Sequence, residues 1–372
     1  MSNSEAGARP FYKPELDVVR LIAFIMVFFH HVLPRDPVFY SRHAPSPLLA
    51  DFLTAISNSL GFGLPLFFSL SAYLITRLLI LEKERSGKIH LRSFYIRRTL
   101  RIWPLFYTGI AIGLVYALLW KHHDHLKMLG FYSLFLANFY FLNNYAVENP
   151  AVPLWSLSLE EQFYLIFPLL LSIFSIRRIP YIGAAMILCS LLALFWMGNH
   201  HRDVDQYIWT RFSAHLIFFG VGVLLAFHTS QREIDLKLGM RALLFAGAIF
   251  VMIMSAFMTS AKQFGNATSG WSVVMGYMGA AAGCVLLLGA ALDIKEKLPG
   301  WMIYLGKISF GLYVYHFLYL MIFKSFIGVG GWKVQPLALV PTVLTAMISY
   351  RYLEKPFLNI RKYFTFVANR PV

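Results

Sequence analysis

Ten apolar runs, each near the length needed to cross ~30 Å of hydrocarbon, leave this chain little choice of fold. They lie at roughly 16–34, 54–81, 99–120, 156–176, 180–198, 207–228, 241–259, 271–292, 301–323 and 335–350. A backbone inside lipid must satisfy its own N–H and C=O groups, so such runs form helices. The expected fold is an all-α polytopic membrane protein, a bundle of about ten transmembrane helices. Composition agrees: 58% of the residues are hydrophobic, 14% are charged and the mean hydropathy is +0.61. A soluble chain would carry closer to a quarter charged residues. The formal charge of +15 therefore speaks for topology and anionic lipid headgroups, with no nucleic-acid partner. Cys189 and Cys284 sit in apolar runs and indicate neither a disulfide framework nor a metal site. The expected organisation is one integral-membrane domain over residues 1–372, with a cytoplasmic lead (1–15) and a cytoplasmic tail (355–372). No cleavable signal, internal repeat or soluble terminal domain is read from the sequence.

An eleventh apolar stretch, Leu129 to Leu142, is short, rich in Phe, Tyr and Asn, and followed by the polar run NNYAVENPAVP. The distribution of charge decides how to treat it. With ten spans and a cytoplasmic N-terminus, the inner segments carry well over twice as many Lys and Arg as the outer ones, as the positive-inside rule requires. A full span here would put Arg177-Arg178 and the basic C-terminus outside. The stretch is therefore expected to be an interfacial or re-entrant helix.

Polar groups at membrane depth are costly and mark function by default. The first run carries Arg20 at one end and His30-His31 at the other. Arg20 and His31 are eleven positions apart, three helical turns, so they share a face about 16 Å apart along the axis. The second run, LFFSLSAYLITR, holds Ser69, Ser71, Tyr73 and Arg77. Its small residues also permit close helix packing. The third enters as FYIRRTLRIWPLFY, where Arg98 and Arg101 share a face at a helix start. Guanidinium forks, free N–H groups and the positive dipole end suit a phosphate there. Arg92 and Arg97 read as topogenic charges only. The fourth, PLWSLSLEEQFYLIFP, has Glu160-Glu161 near its start. Consecutive residues point about 100° apart, so one carboxylate is expected to face the bundle. A carboxylate and His31 at similar depth suggest a base and its orienting partner. Lys307, Ser309, Tyr313 and His316 on the ninth run are weaker candidates, and Arg351 and Glu354 read as a structural i, i+3 ion pair. His122, His123, His125 and His200-His201 read as solvated loop residues without metal-ligand spacing.

Taken in order, LDVVRLIAFIMVFFHH, FFSLSAYLIT, RRTLRIWPLFY, LWSLSLEEQFYLIFP, LGKISFGLYVYHF and SYRYLEKPF resemble the bacterial membrane acyltransferases of the acyltransferase-3 type, which O-acylate glycans and related small molecules. The resemblance covers essentially the whole chain. It implies a multi-pass protein of the bacterial cytoplasmic (inner) membrane that takes acyl-CoA, most often acetyl-CoA, from the cytoplasm and acylates a hydroxyl of a carbohydrate or glycosylated acceptor. The family's Arg-to-His spacing falls on Arg20 and His31, its paired arginines on Arg98 and Arg101, and its glutamates on Glu160 and Glu161. The expected catalytic set is His31, Glu161 and Arg20. The expected CoA-binding set is Arg98, Arg101, Arg77, Ser71 and Tyr73, with Glu160, His316 and Ser309 as further candidates and no metal. Ala72 stands where the family usually has glycine, so looser helix packing is expected there. The extracytoplasmic esterase-like domain of some members is not expected. A proton-coupled secondary transporter is the alternative, since buried Arg, His and Glu also build proton relays. The absence of two similar halves speaks against it.

Overall fold

The computed structural model describes residues 12–145, 147–200, 207–263, 269–327 and 333–364. His201, Arg202, most of the expected lead and the end of the expected tail lie outside them. Among the described residues every regular element is a helix. In chain order these are α1 (Pro14–Val32), α2 (Pro37–His43), α3 (Pro47–Ser59), α4 (Gly63–Ser86), α5 (Leu91–Leu119), α6 (Asp124–Ser133), α7 (Ala137–Tyr140) and α8 (Trp155–Ile173). There follow α9 (Ile179–His200), α10 (Phe212–Gln231), α11 (Leu238–Gln263), α12 (Gly270–Ala291), α13 (Gly300–Lys307), α14 (Ser309–Ile327), α15 (Leu339–Ser349) and α16 (Lys355–Arg361).

The chain is an all-α polytopic membrane protein. Among the described residues seven helices are long and apolar enough to cross a membrane, or up to nine if each of two bent pairs counts as one span. The bent pairs are α1 with α2, at 75°, and α13 with α14, at 71°. Leu129–Leu142 forms no long helix; it resolves into the second half of α6 and the short α7. The tenth expected run is a correction. α15 is only 11 residues long, and the helix then continues through a π-helical turn (Tyr350–Glu354) into α16. Arg351, Glu354 and Lys355 enter before the run reaches spanning length, which is why it fails as an apolar span. Leu339–Arg361 is nonetheless continuous helix, about 35 Å long. It begins beside α14 and ends beside α5, where Arg97 donates to the Phe364 carbonyl at 2.7 Å. The π turn also alters the expected Arg351–Glu354 pairing, because i, i+3 positions no longer stack when the turn widens. Arg351 is exposed with its guanidinium 5.4 Å from the Tyr352 ring centroid, whereas Glu354 is buried.

α1 lies at the centre, packed against α3, α4, α12, α13 and α14. Two close helix approaches depend on glycine. A Cβ at Gly306 would collide with the Asp17 backbone, so α13 sits directly on α1. A Cβ at Gly222 of α10 would collide with the Ser69 carbonyl of α4 and meet Ala72. Packing at fully buried Ala72 is therefore tight; the small partner is on the other helix.

Two basic residues near helix ends are tied into the structure by backbone carbonyls. Lys83 donates to the Leu171 and Phe174 carbonyls, both at 2.7 Å, and so closes the C-terminal end of α8. Arg241 is buried and donates to five carbonyls, those of Ile234, Leu236, Ala290, Leu292 and Asp293, at 2.7–3.1 Å. Asp293, just beyond α12 at φ 57°, pairs with Lys13 and accepts from the Ile234 N–H. Burial pushes the Asp293 carboxyl up, but these partners outweigh it and hold it below its ordinary value.

His125 is also a correction. It is buried rather than solvated, and its Nδ1 lies 3.3 Å from Asn149 Nδ2. Ligand atoms of His122, Asp124 and His125 lie within 4.8 Å of one another. Asn149 Oδ1 accepts from Ala151 N–H, so its Nδ2 must donate to His125 Nδ1. That bond occupies one lone pair and protonates the other ring nitrogen, an arrangement poorly suited to a metal ligand.

Candidate functional site

One open cavity, about 150 Å³, lies between α1, α4, α5, α8 and α14. Along α4 it is lined by Leu64, Phe67, Ser71, Leu74 and Leu78, one helical face extending about 21 Å. Its basic end collects Lys13 and Arg20 from the first part of α1, Arg97, Arg98 and Arg101 from α5, and Arg361 from the end of α16. α5 begins at Leu91, so Arg98 and Arg101 lie about two turns inside it rather than at the expected helix start. At its other end stand Ser156, Phe310 and Tyr313.

The basic end is held by buried acids. Asp17, 1% exposed, accepts from Arg20 and from the Tyr12 hydroxyl at 3.0 Å. Arg20 thus pairs within α1 instead of reaching toward headgroups. Glu82, 2% exposed, accepts from Arg97 at 2.9 Å and from the His90 N–H at 2.8 Å. Arg97 is therefore a wall residue fixed in place, a departure from the topogenic reading. Arg98 forms no ion pair among the described residues. Its guanidinium lies 5.5 Å from the Phe94 ring centroid and 5.3 Å from that of Tyr164. An arginine packed on two rings keeps its N–H fork available to an anion. Glu160 accepts from Tyr164 and, at 3.4 Å, from Ser71, bringing α8 and α4 together across the cavity.

The other expected residues are distributed less simply. Ser71, Arg98, Arg101, Glu160 and Ser309 line the cavity, as does Arg20. Tyr73 does not; it is fully buried and bonded by Thr229 of α10 at 3.3 Å. Arg77 lies off the wall as well. Glu161 is off the wall, beside Trp103, and its buried Oε1 has no hydrogen-bond partner. His31 stands apart from both glutamates. Its ring neighbours are His30 and His316, each with centroids 5.4 Å away, and Phe317 at 5.3 Å. His316 lies one turn beyond Tyr313 on α14, their ring centroids 5.5 Å apart, so the histidine pair sits past the Tyr313 end of the cavity. Arg20 and His31 are thus at opposite ends of one path rather than in one catalytic cluster. Sequence reasoning missed Asp17, Glu82, Arg361 and Tyr164. The i, i+3 spacing of Asp17 and Arg20 was the one available signal; Glu82 and Arg361 act across the fold and leave no local pattern.

Comparison with known proteins identifies the family. A family model described as an acyltransferase domain matches residues 13–351. An O-acetyltransferase OatA of Staphylococcus aureus (strain NCTC 8325 / PS 47) is 27% identical over 367 residues, covering 93% of this chain and 57% of the relative. A peptidoglycan O-acetyltransferase OatA of Listeria monocytogenes is 29% identical over 199 residues, covering 50% of this chain and 29% of the relative. The chain spans little more than half the length of the longer of these alignments' curated relative. No solved structure matches. With its six motifs in order and a family match extending from the start of α1 to the π turn, the chain belongs to the acyltransferase-3 family.

Proposed function

We propose that this protein transfers an acyl group, acetyl in the simplest case, from cytoplasmic acyl-CoA to a hydroxyl of a glycan at the outer side of a bacterial cytoplasmic membrane. The observation that carries this reading is the cavity itself. It runs from a six-cation end along a largely apolar face of α4 to Tyr313, and the His316 ring lies beyond that residue, centroids 5.5 Å apart, next to His31. Phosphates of CoA are matched by the guanidinium forks of Arg98 and Arg101, with Arg20, Arg97 and Arg361 around them. The apolar stretch suits a slender acyl-bearing arm, and partly exposed His31 stands where an acceptor hydroxyl would meet the thioester. The acceptor oxygen bonds to the thioester carbonyl carbon as the C–S bond breaks. His31 receives the hydroxyl proton and passes it to the departing thiolate. The relatives' names, O-acetyltransferase and peptidoglycan O-acetyltransferase, support acetyl as the group and a cell-wall glycan as the acceptor class.

Incubation of purified protein with radiolabelled acetyl-CoA and glycan tests the reading: ester-linked label in the glycan supports it, and none contradicts it. Arg98→Ala and Arg101→Ala are each expected to weaken acetyl-CoA binding about 10-fold or more, the scale of a lost charge-assisted hydrogen bond. Lysine is expected to restore only part of it, since a point charge lacks the bidentate fork. Isothermal titration at matched folding checks this, and unchanged affinity in both alanine variants would remove the arginines from the donor site.

The charge asymmetry supports this orientation. A reporter inserted at Glu296 is expected to read cytoplasmic, and one at Asn144 external. The reverse pattern would place the basic end of the cavity on the wrong side for CoA.

A further inference from the structure

His316 is fully buried, yet it is not a passive core residue. Its Nδ1 lies 2.6 Å from the Tyr313 carbonyl oxygen. A carbonyl only accepts, so Nδ1 carries the proton, and in the neutral ring Nε2 holds a bare lone pair. That Nε2 is buried and has no hydrogen-bond partner. A buried acceptor left unmet costs about 1–3 kcal/mol, so such a group calls for a reason.

The ring neighbours of His316 narrow the reason to one. They are Phe24, Phe28, His31, Tyr313 and Phe317. Three are hydrocarbon rings. Tyr313 is already committed, because its hydroxyl donates to the Pro153 carbonyl and meets Ser156 Oγ at 2.8 Å. His31 remains: its ring centroid is 5.4 Å away at a 36° tilt, and it is still partly exposed.

We infer that His316 is the positioning residue for His31. The Tyr313 carbonyl fixes the His316 tautomer, and His316 Nε2 accepts the N–H of His31 during turnover. His31 then presents its other nitrogen, unprotonated, to the acceptor hydroxyl. When His31 takes the proton, the same Nε2 stabilises the imidazolium by a charge-assisted bond. This is the orienting role a carboxylate fills in a Ser-His-Asp triad, here given to a second histidine in an apolar setting. It replaces the Glu161 pairing expected from sequence, and it rests on His31 being the base in the function proposed above.

The test uses full-length protein in lipid nanodiscs with acetyl-CoA and glycan. His316→Phe removes the acceptor nitrogen and keeps a ring; His316→Gln keeps an acceptor near the Nε2 position. His316→Phe is expected to lower kcat about 10–100-fold, the scale of lost ligand orientation, with the KM for acetyl-CoA unchanged. His316→Gln is expected to recover at least half of that loss on a logarithmic scale. A merely structural role would instead lower both variants together with their thermal stability. Near-normal kcat in His316→Phe, or an equal loss in His316→Gln, overturns the proposal. Ring-¹⁵N spectra of the wild-type protein give a measurement that needs no variant. They are expected to show His316 protonated at Nδ1 alone, and an Nε2-protonated tautomer overturns the assignment. If His31→Ala retains transfer while His316 shows the expected tautomer, it is the function reading, with His31 as base, that fails.

Discussion

His31→Ala is expected to lower acyl transfer to the glycan by about 10²–10⁴-fold, the usual contribution of a general base. Acyl-CoA binding should remain nearly intact, because the cations that serve it lie at the opposite end of the cavity. The adjacent His30 is the control. Its ring packs against Gly61, and its Nε2 lies 3.3 Å from Arg35 Nη1, whereas it is His31 whose ring meets His316. His30→Ala should therefore keep most of the activity while losing some local packing. Transfer rates of both variants at matched membrane level decide the matter. A dead His30→Ala beside an active His31→Ala would mean that the wrong face of α1 has been chosen.

The second large effect falls on stability. Arg241→Met keeps the length and apolar bulk of the side chain but leaves five carbonyls, in the α10–α11 connection and at and just after the end of α12, without their donor. Each buried acceptor left unmet costs about 1–3 kcal/mol. Water can reach some of them, so a net loss of about 3 kcal/mol or more is expected. Arg241→Lys, with three donors on one nitrogen, should recover part of it. Thermal unfolding in detergent is the check, read together with turnover per folded molecule. Arg241 lies off the cavity, so its loss should lower Tm without lowering the rate of the molecules that remain folded. An unchanged Tm in Arg241→Met would show that its five bonds contribute nothing net.

Arg241 also shows which parts of the structure a sequence can and cannot disclose. Hydropathy alone gave the helical membrane fold, since lipid admits few alternatives. It failed at the last run, where Arg351, Glu354 and Lys355 enter a helix that continues through a π turn. Ser71, Arg98, Arg101 and Glu160 were legible because each breaks an apolar pattern on a helix face that meets the cavity. Tyr73 breaks the pattern too, yet it turns to Thr229 on α10, because rotation about α4 is set by tertiary packing at Gly222 and Ala72. Glu82 and Arg361 reach the basic end from distant segments, and nothing in their own neighbourhood shows that. The pairing of His31 with His316 joins α1 to α14, a contact that helical periodicity within α1 has no means of expressing.

The central claim is that one path carries an acyl group from a basic donor end to a histidine at the acceptor end. Proteoliposomes that hold glycan inside and receive radiolabelled acetyl-CoA only outside test it most directly. Wild-type protein is expected to build up ester-linked label on the enclosed glycan, and His31→Ala to build up none, with acetyl-CoA binding equal in both. Label that appears only when donor and acceptor share a compartment, or equally in both proteins, would contradict it.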